Sequence, residues 1–498
     1  MTPNILFILT DDQGAWALGA AGNREIHTPH LDRLAADGLR LENCLCASPV
    51  CSPARATLLT GRIPSQHGVH DWIRQGNLDE RDLAGLEGHA FAGDARAIDY
   101  LQGQPALTDI VAAGGYTCGI SGKWHLGDSL HPQKSFSYWQ VVPYGGSDYF
   151  NGPMIVDGQV RLEPRYLTDA ITDNALAFLE QQAGAPQPFY LSVCYTAPHS
   201  PWNADQHPPD LRGLYADCPF ESVPELPAHP QAINSAPRGT GERRRELLTG
   251  YYAAISGVDR GVGRLLAWLD EHGLRENTLV VFTSDNGMNM GHHGLWGKGN
   301  ATFPANMYEE SVKVPAIFAR PGSVPGGFVS PALLSHYDFM PTLLDYVGLP
   351  NPEAERLPGR SFAPLLRGEP LEERESLSEP RSLVAFDEYG PTRMIRTRRW
   401  KYIHRYPYGP HELYDLETDP GEQHNRIADS GTIEVAAALN HELAEWFARY
   451  ADPRLDGSRE AVTGKGQLDL AGAAGSGKPV YGDDWWYVDE EGRLLTEM

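Results

Sequence analysis

Asn4-Ile5-Leu6-Phe7-Ile8-Leu9-Thr10-Asp11-Asp12 opens the chain with an apolar run of strand length that stops at two adjacent carboxylates. A continuous apolar run, with no polar residue at every second position, is the pattern of a strand buried on both faces of a parallel sheet. Sheets of that kind hold their ligands at the carboxyl ends of their strands, where Asp11 and Asp12 stand. Taken alone, an acid pair there is also a plain loop start or helix cap. A second heavy run, Thr278-Leu279-Val280-Val281-Phe282-Thr283-Ser284, ends in Asp285-Asn286-Gly287. If the two strands are parallel and near each other, Asp11, Asp12, Asp285 and Asn286 converge as hard oxygen ligands. Such a set suits Ca²⁺ or Mg²⁺, whereas zinc would want His or Cys among its ligands.

The same arrangement recurs twice more. Tyr116 to Ile120 reads as a strand running into Ser121-Gly122-Lys123-Trp124-His125-Leu126-Gly127, and Pro188 to Tyr195 as a strand followed by Thr196-Ala197-Pro198-His199-Ser200-Pro201. A Lys and a His two apart on a turn are surface residues in most proteins; here they repeat a geometry already present. Prolines on either side stiffen the loop that carries His199. After the Asp285 pair comes Gly291-His292-His293-Gly294-Leu295-Trp296-Gly297-Lys298-Gly299, whose Lys298 can reach into the same site. Helices are expected from His27 to Ala35, Leu107 to Ala113, Tyr166 to Gln181, Arg243 to His272 and His336 to Val347, with a further strand at Val314 to Phe318. The Pro-rich stretch from Trp202 to Gly241 reads as a long surface excursion over the site, and Ile73 to Tyr100 as loop or insertion.

Cys51-Ser52-Pro53-Ala54-Arg55-Ala56-Thr57-Leu58-Leu59-Thr60-Gly61-Arg62 starts a helix with Pro in its first turn, which puts Cys51 at or just before the N-terminus. A nucleophile there meets unpaired backbone N–H groups and the positive end of a dipole, and Arg55, one turn on, can point back to the same spot. That is a place for an anion.

The composition leaves room for this and excludes other classes. The 498 residues carry 41 Lys and Arg against 65 Asp and Glu, a formal charge of −24, so nucleic acid and anionic membrane surfaces are repelled and an anionic substrate needs local cations. Six cysteines in so long a chain do not make a secreted disulfide framework, and Cys44 and Cys46 lack the further Cys/His pair of a zinc site. With no basic n-region and no apolar stretch of membrane-span length, a cytoplasmic location is expected.

Towards the C-terminus the texture changes. Met394-Ile395-Arg396-Thr397 and Trp400-Lys401-Tyr402-Ile403 alternate like antiparallel strands, Glu412 to Leu416 precedes an Asp419-Pro420-Gly421-Glu422 turn, and a helix runs from about Ile433 to Tyr450. The expected organisation is a catalytic α/β domain over 1–375, a small α+β domain over 380–452, joined by a Pro/Glu/Arg-rich linker, and a tail over 453–498 that becomes aromatic and acidic at Trp485, Trp486 and Tyr487.

Together, in this order, these motifs resemble the type I sulfatases of the alkaline phosphatase superfamily. The match rests on the opening strand with Asp-Asp, Cys-x-Pro-x-Arg with Thr-Gly-Arg, Gly-Lys-Trp-His-Leu-Gly, Pro-His, Asp-Asn-Gly and the downstream Lys. The resemblance implies a large, mostly parallel sheet flanked by helices, with a smaller domain built on an antiparallel sheet. It implies that Cys51 is converted to formylglycine by a generating enzyme, and that Asp11, Asp12, Asp285, Asn286 and the modified Cys51 bind one divalent cation, Ca²⁺ by family habit. Arg55, Lys123, His125, His199 and Lys298 would line the sulfate pocket. Asp285 would take the nucleophile's proton, His199 or Lys298 would protonate the leaving alcohol, and His125 would be the base that restores the aldehyde. The substrate would be a small sulfate ester, with His292, His293 and Trp296 as contacts for a sugar ring. A phosphonate or phosphate mono- or diesterase of the same superfamily is the alternative enzyme, and a non-catalytic glycan-binding protein on this scaffold the alternative of another class.

Overall fold

The computed structural model describes residues 2–83, 93–371, 384–472, 479–483, 487–488 and 494–495. The opening apolar run forms β1 (Asn4–Thr10), every residue of which is buried. Around it are β2 (Leu39–Leu45), β3 (Thr117–Lys123), β4 (Tyr138–Val142), β5 (Gly152–Val156), β6 (Gln159–Glu163), β7 (Phe189–Cys194) and β8 (Thr278–Ser284). Next come a two-stranded pair, β9 (Asn289–Met290) and β10 (Trp296–Gly297), and then β11 (Lys313–Val314), β12 (Ala316–Ala319) and β13 (Phe328–Ser335). Among the described residues the large sheet has eleven strands in the order β11-β2-β12-β8-β1-β7-β3-β4-β5-β6, with β13 pairing β2.

The four central neighbours β8, β1, β7 and β3 are mutually parallel, so their carboxyl ends emerge side by side. Helices Leu167–Gln182 and Gly241–Glu271 cover one face through the cluster around Leu6, Ile8, Phe178 and Val258. Helices Cys51–Thr60, Leu107–Ala113 and Phe339–Val347 cover the other, packing with Phe7, Leu58, Val111 and Leu343. Helical cover on both faces explains why the central strands are apolar throughout.

The expected central strands and long helices are present, and the sheet is broader than the sequence suggested. Strands β2, β4, β5, β6 and β13 lie in stretches where no strand was expected. Most flank the centre, and β6 is largely exposed. Pro331 interrupts β13 as a sequence pattern, and the pairing with β2 shifts register between Ser330 and Leu333 to pass it. Pro315 splits the expected strand at Val314 to Phe318 into β11 and β12.

A separate antiparallel sheet follows, β14 (Val384–Tyr389), β15 (Thr392–Thr397), β16 (Trp400–Arg405) and β17 (Glu412–Asp415), with the helix Ile433–Tyr450 packed on it through Leu439, Leu443 and Phe447. The boundary expected near residues 375–380 lies outside the described residues, as do Trp485 and Trp486. The stretch after Gly457 folds back on the large domain: Gln467 is fully buried and forms a bridge with Ile73.

Candidate active site

Asp11 and Asp12 leave the end of β1 beside Asp285 and Asn286 at the end of β8, which β1 flanks in parallel register. The backbone locks the two ends together: the Asp285 N–H donates to Thr10 O at 3.0 Å, and the Asp12 N–H to Asp285 Oδ1 at 3.1 Å. All four side chains are at most 4% exposed. Asp12 holds φ at 68° and His125 at 56°, left-handed conformations that Asp and His tolerate better than most residues and that cost about 1–3 kcal/mol elsewhere. The Tyr251 hydroxyl, on the long helix, donates to the Asp12 carbonyl at 2.8 Å and supports that conformation.

Cys51 begins its helix with Val50 as the extended N-cap, and its Sγ lies 3.3 Å from Asp11 Oδ1 and 2.7 Å from Lys298 Nζ. Burial and the Asp11 charge push this thiol well above the ordinary range, so an unmodified Cys51 is not a ready thiolate. Arg55 reaches back from the next turn, Nε to Asp285 Oδ2 at 2.8 Å and Nη1 to the Lys123 carbonyl at 3.1 Å. The second half of the motif serves the helix rather than the site. Gly61 caps its end in the left-handed region (φ 67°), and Arg62 pairs with Glu353 at 2.6 Å.

Lys123, the last residue of β3 and fully buried, lies 2.5 Å from Asp11 Oδ2, and Lys298 pairs with Asp12 Oδ1. Burial opposes both the Lys298 charge and the Asp12 charge, but each holds the other ionised: the lysine is pushed up and the aspartate down. Asp11 moves the other way, raised by burial and by neighbouring Asp285. Asp285 is kept low against burial, first by Arg55. Three carboxylates with ligand atoms all within 4.8 Å of one another, together with a buried Asn286 Oδ1 that has no hydrogen-bond partner, form a set of hard oxygen donors with capacity to spare. These residues fit one divalent cation of the Ca²⁺ or Mg²⁺ kind.

His125 Nε2 lies 2.9 Å from the Ile73 carbonyl, so this nitrogen carries the hydrogen and Nδ1 keeps its lone pair. Burial, then Lys123, lowers its pKa well below that of a free imidazole, and the ring is neutral at neutral pH. His199 is a quarter exposed; its Nδ1 meets the Ser200 carbonyl at 2.8 Å and its Nε2 points 3.8 Å from Asp12 Oδ2.

Cys51, Arg55, Lys123, His125, His199 and Lys298 are thus gathered around the carboxylates. His292 and His293 are occupied elsewhere: the first packs on Trp16 at 4.8 Å between ring centroids, the second stacks on Tyr308 at 3.8 Å and meets Glu310 at 2.8 Å. Those contacts make both rings supports of the glycine-rich loop. Trp296 sits half-buried in β10. The Pro-rich excursion leans on the same loop, placing the Pro224 and Pro227 carbonyls where a side chain on Gly291 or Gly294 would stand.

Two glycines had no signal in the sequence. A Cβ on Gly145 would run into the His125 ring, and one on Gly146 would stand 3.3 Å from His199 Cε1, so the absent side chains leave room for both imidazoles.

The family model described as Sulfatase matches residues 3–349, and one described as N-sulphoglucosamine sulphohydrolase, C-terminal, matches residues 291–449. The chain is 27% identical to an N-acetylglucosamine-6-O-sulfatase of Bacteroides thetaiotaomicron, over 94% of this chain and 90% of that protein. It is 30% identical to a ulvan-active sulfatase of Formosa agariphila, over 89% of this chain and 81% of that one. A solved protein in complex with its substrate D-glucosamine-2-N,6-O-disulfate superposes with a TM-score of 0.71 at 24% identity, covering 92% of this chain and all of that one.

Proposed function

Since the chain belongs to the sulfatase family and is itself a sulfatase, we propose that it hydrolyses the sulfate ester of a small saccharide, using a formylglycine made from Cys51 and one divalent cation, with Ca²⁺ the first choice. The observation that carries this reading is the convergence on Cys51 of three buried carboxylates, an orphaned amide oxygen and two buried lysines. The modified residue and the cation together supply a hydroxyl nucleophile acidified at neutral pH.

The chain's own groups do the rest. Arg55 fixes the Asp285 carboxylate, whose Oδ1 already accepts the N–H groups of Asp12 and Asn286, so this oxygen set can hold a cation and take a proton without moving. Lys298 is held charged by Asp12, and Lys123 pairs with Asp11, both beside the nucleophile position where negative charge grows on the sulfate oxygens. His199, at the exposed rim, is placed to protonate the departing alcohol; Lys298 lies deeper, against Cys51. His125, neutral and with Nδ1 bare, is placed to accept a proton as sulfate leaves.

A saccharide substrate is supported by the relatives named for N-acetylglucosamine 6-sulfate and ulvan, and by the structural neighbour bound to a disulfated glucosamine. The cysteines other than Cys51, all unpaired, suit a reducing compartment, so a cytoplasmic site of action belongs to the proposal. No helix among the described residues is long and apolar enough to cross a membrane.

The test is a comparison of sulfated mono- and disaccharides with aryl sulfates and phosphonate esters, on protein made with and without a formylglycine-generating enzyme. Turnover of sulfated sugars that depends on Cys51, and is lost in Cys51→Ala with the fold intact, is the expected result. Full activity in Cys51→Ala, or faster turnover of phosphonates, would overturn it.

A further inference from the structure

Ile73 is a hub beneath the site. Its N–H donates to the Ser52 hydroxyl at 2.9 Å, next to the nucleophile position, and its carbonyl accepts from His125 Nε2 at 2.9 Å. Nothing in the segment around Ile73 holds it there by regular structure, since it lies in neither a helix nor the large sheet. Besides Ser52, and Tyr389 on the neighbouring Asp71, the segment is held by Gln467, almost four hundred positions further on.

The backbone of Gln467 pairs with this segment in parallel fashion: its N–H donates to the Trp72 carbonyl at 2.8 Å, and its carbonyl accepts from the Arg74 N–H at 2.9 Å. Its amide, fully buried, ties the segment before Ile73 to its own stretch. Oε1 accepts from the His70 N–H at 2.8 Å, and Nε2 donates to the Gly68 and Asp469 carbonyls at 3.0 Å each. The same C-terminal stretch touches the other catalytic loop, because the Gly464 carbonyl accepts from Trp72 Nε1 at 3.1 Å and from Asn300 Nδ2 at 3.2 Å, two residues past Lys298. This stretch lies beyond both family-model matches, which end at 349 and 449.

We infer that Gln467 is a positioning residue for His125: by fixing the segment that carries the Ile73 carbonyl, it holds the imidazole in the Nε2–H form with Nδ1 bare. The inference rests on His125 being the base of the proposed reaction. The Gln467 backbone brackets Ile73 through the Trp72 carbonyl and the Arg74 N–H while its amide anchors Gly68 and His70 upstream, so the residue whose carbonyl selects the tautomer is held from both sides. In this reading the C-terminal stretch completes the active site rather than trailing from it.

The test uses Gln467→Ala and the milder Gln467→Asn in the full chain. The first measurement needs no cofactor: the ¹⁵N shifts of His125 in histidine-labelled, metal-free protein with Cys51 unmodified. Wild type should show the Nε2–H tautomer alone, and the variants a mixture. In the modified, metal-loaded protein, steady-state sulfate release should fall about 10- to 100-fold for Gln467→Ala, with first-turnover alcohol release and kcat/KM within about twofold of wild type and KM falling with kcat. Should Gln467→Ala not fold, Gln467→Asn carries the test with a smaller loss in the same pattern. A folded variant with the wild-type tautomer and wild-type turnover, or one in which both steps slow by the same factor, would overturn the inference. His125→Ala separates this from the reading beneath it: if that variant turns over normally, His125 is not the base, whatever Gln467 does.

Discussion

Arg55 Nε lies 2.8 Å from Asp285 Oδ2, joining the helix that begins at Cys51 to the end of β8 across 230 positions of sequence, with both side chains at most 3% exposed. Because neither charge sees water, removing one partner leaves the other uncompensated, which typically costs about 3–5 kcal/mol. Arg55→Ala should therefore lower stability by about that much as well as activity, and Arg55→Lys less, since an ammonium keeps the charge without the fixed fork. Urea denaturation measures it. Asp285 is held below its ordinary value, so its contribution is complete above the unfolded carboxylate pKa of about 4 and is lost as pH falls through the folded value. The acid limb of the stability curve should be shallower in Arg55→Ala than in wild type.

The carboxylate cluster should make stability depend on a cation. Asp11, Asp12 and Asp285 repel one another, and Lys123 and Lys298 offset only part of that. A cation present at about 100 times its Kd adds about 2.7 kcal/mol, so EDTA should lower Tm and Ca²⁺ restore it. Asp11→Asn should show neither response, and elemental analysis should find one calcium or magnesium per chain. Stoichiometric zinc in its place would contradict the ligand argument.

If His199 protonates the leaving oxygen, its loss should matter where the alcohol is a poor leaving group. His199→Ala should reduce kcat/KM on a sugar sulfate by about 10²–10⁴-fold and change a nitrophenyl sulfate little. Lys123→Ala should slow both esters comparably, because its work is on the sulfate they share. Lys298 lies against Cys51 and Asp12, so Lys298→Ala should follow Lys123→Ala. Equal losses on both esters for His199→Ala would remove it as the acid.

Gly145 should be as sensitive as a catalytic position. A methyl group there collides with the His125 ring, while at Gly146 it stands 3.3 Å from His199 Cε1, a tight contact that a shift of a few tenths of an ångström in the part-exposed ring relieves. Gly145→Ala should reduce kcat by about 10²-fold, the scale of a misplaced catalytic group, with Tm little changed. Gly146→Ala should stay within a few-fold of wild type in the same assay.

The sequence by itself determined the strands that end in chemistry. Unbroken apolar runs at Asn4–Thr10 and Thr278–Ser284 can only be buried on both faces, and the polar residues that follow them must then emerge at one edge of a parallel sheet. Pro53 and the N-terminal place of Cys51 were equally legible, since local backbone chemistry sets where a helix begins. The flanking strands were not, because β6 is largely exposed and β13 carries a Pro, and pairing with a neighbour rather than local pattern makes them strands. Nor could local pattern show where the loop histidines point: His292 and His293 sit as close in sequence to Lys298 as any substrate contact would, yet Trp16, Tyr308 and Glu310 take them. Gly145 and Gln467 matter through what stands opposite them, a histidine ring and the Ile73 segment. A glycine or a glutamine carries no periodicity or charge to announce that role, so only the packed tertiary structure, which brings distant segments within hydrogen-bond distance, decides it.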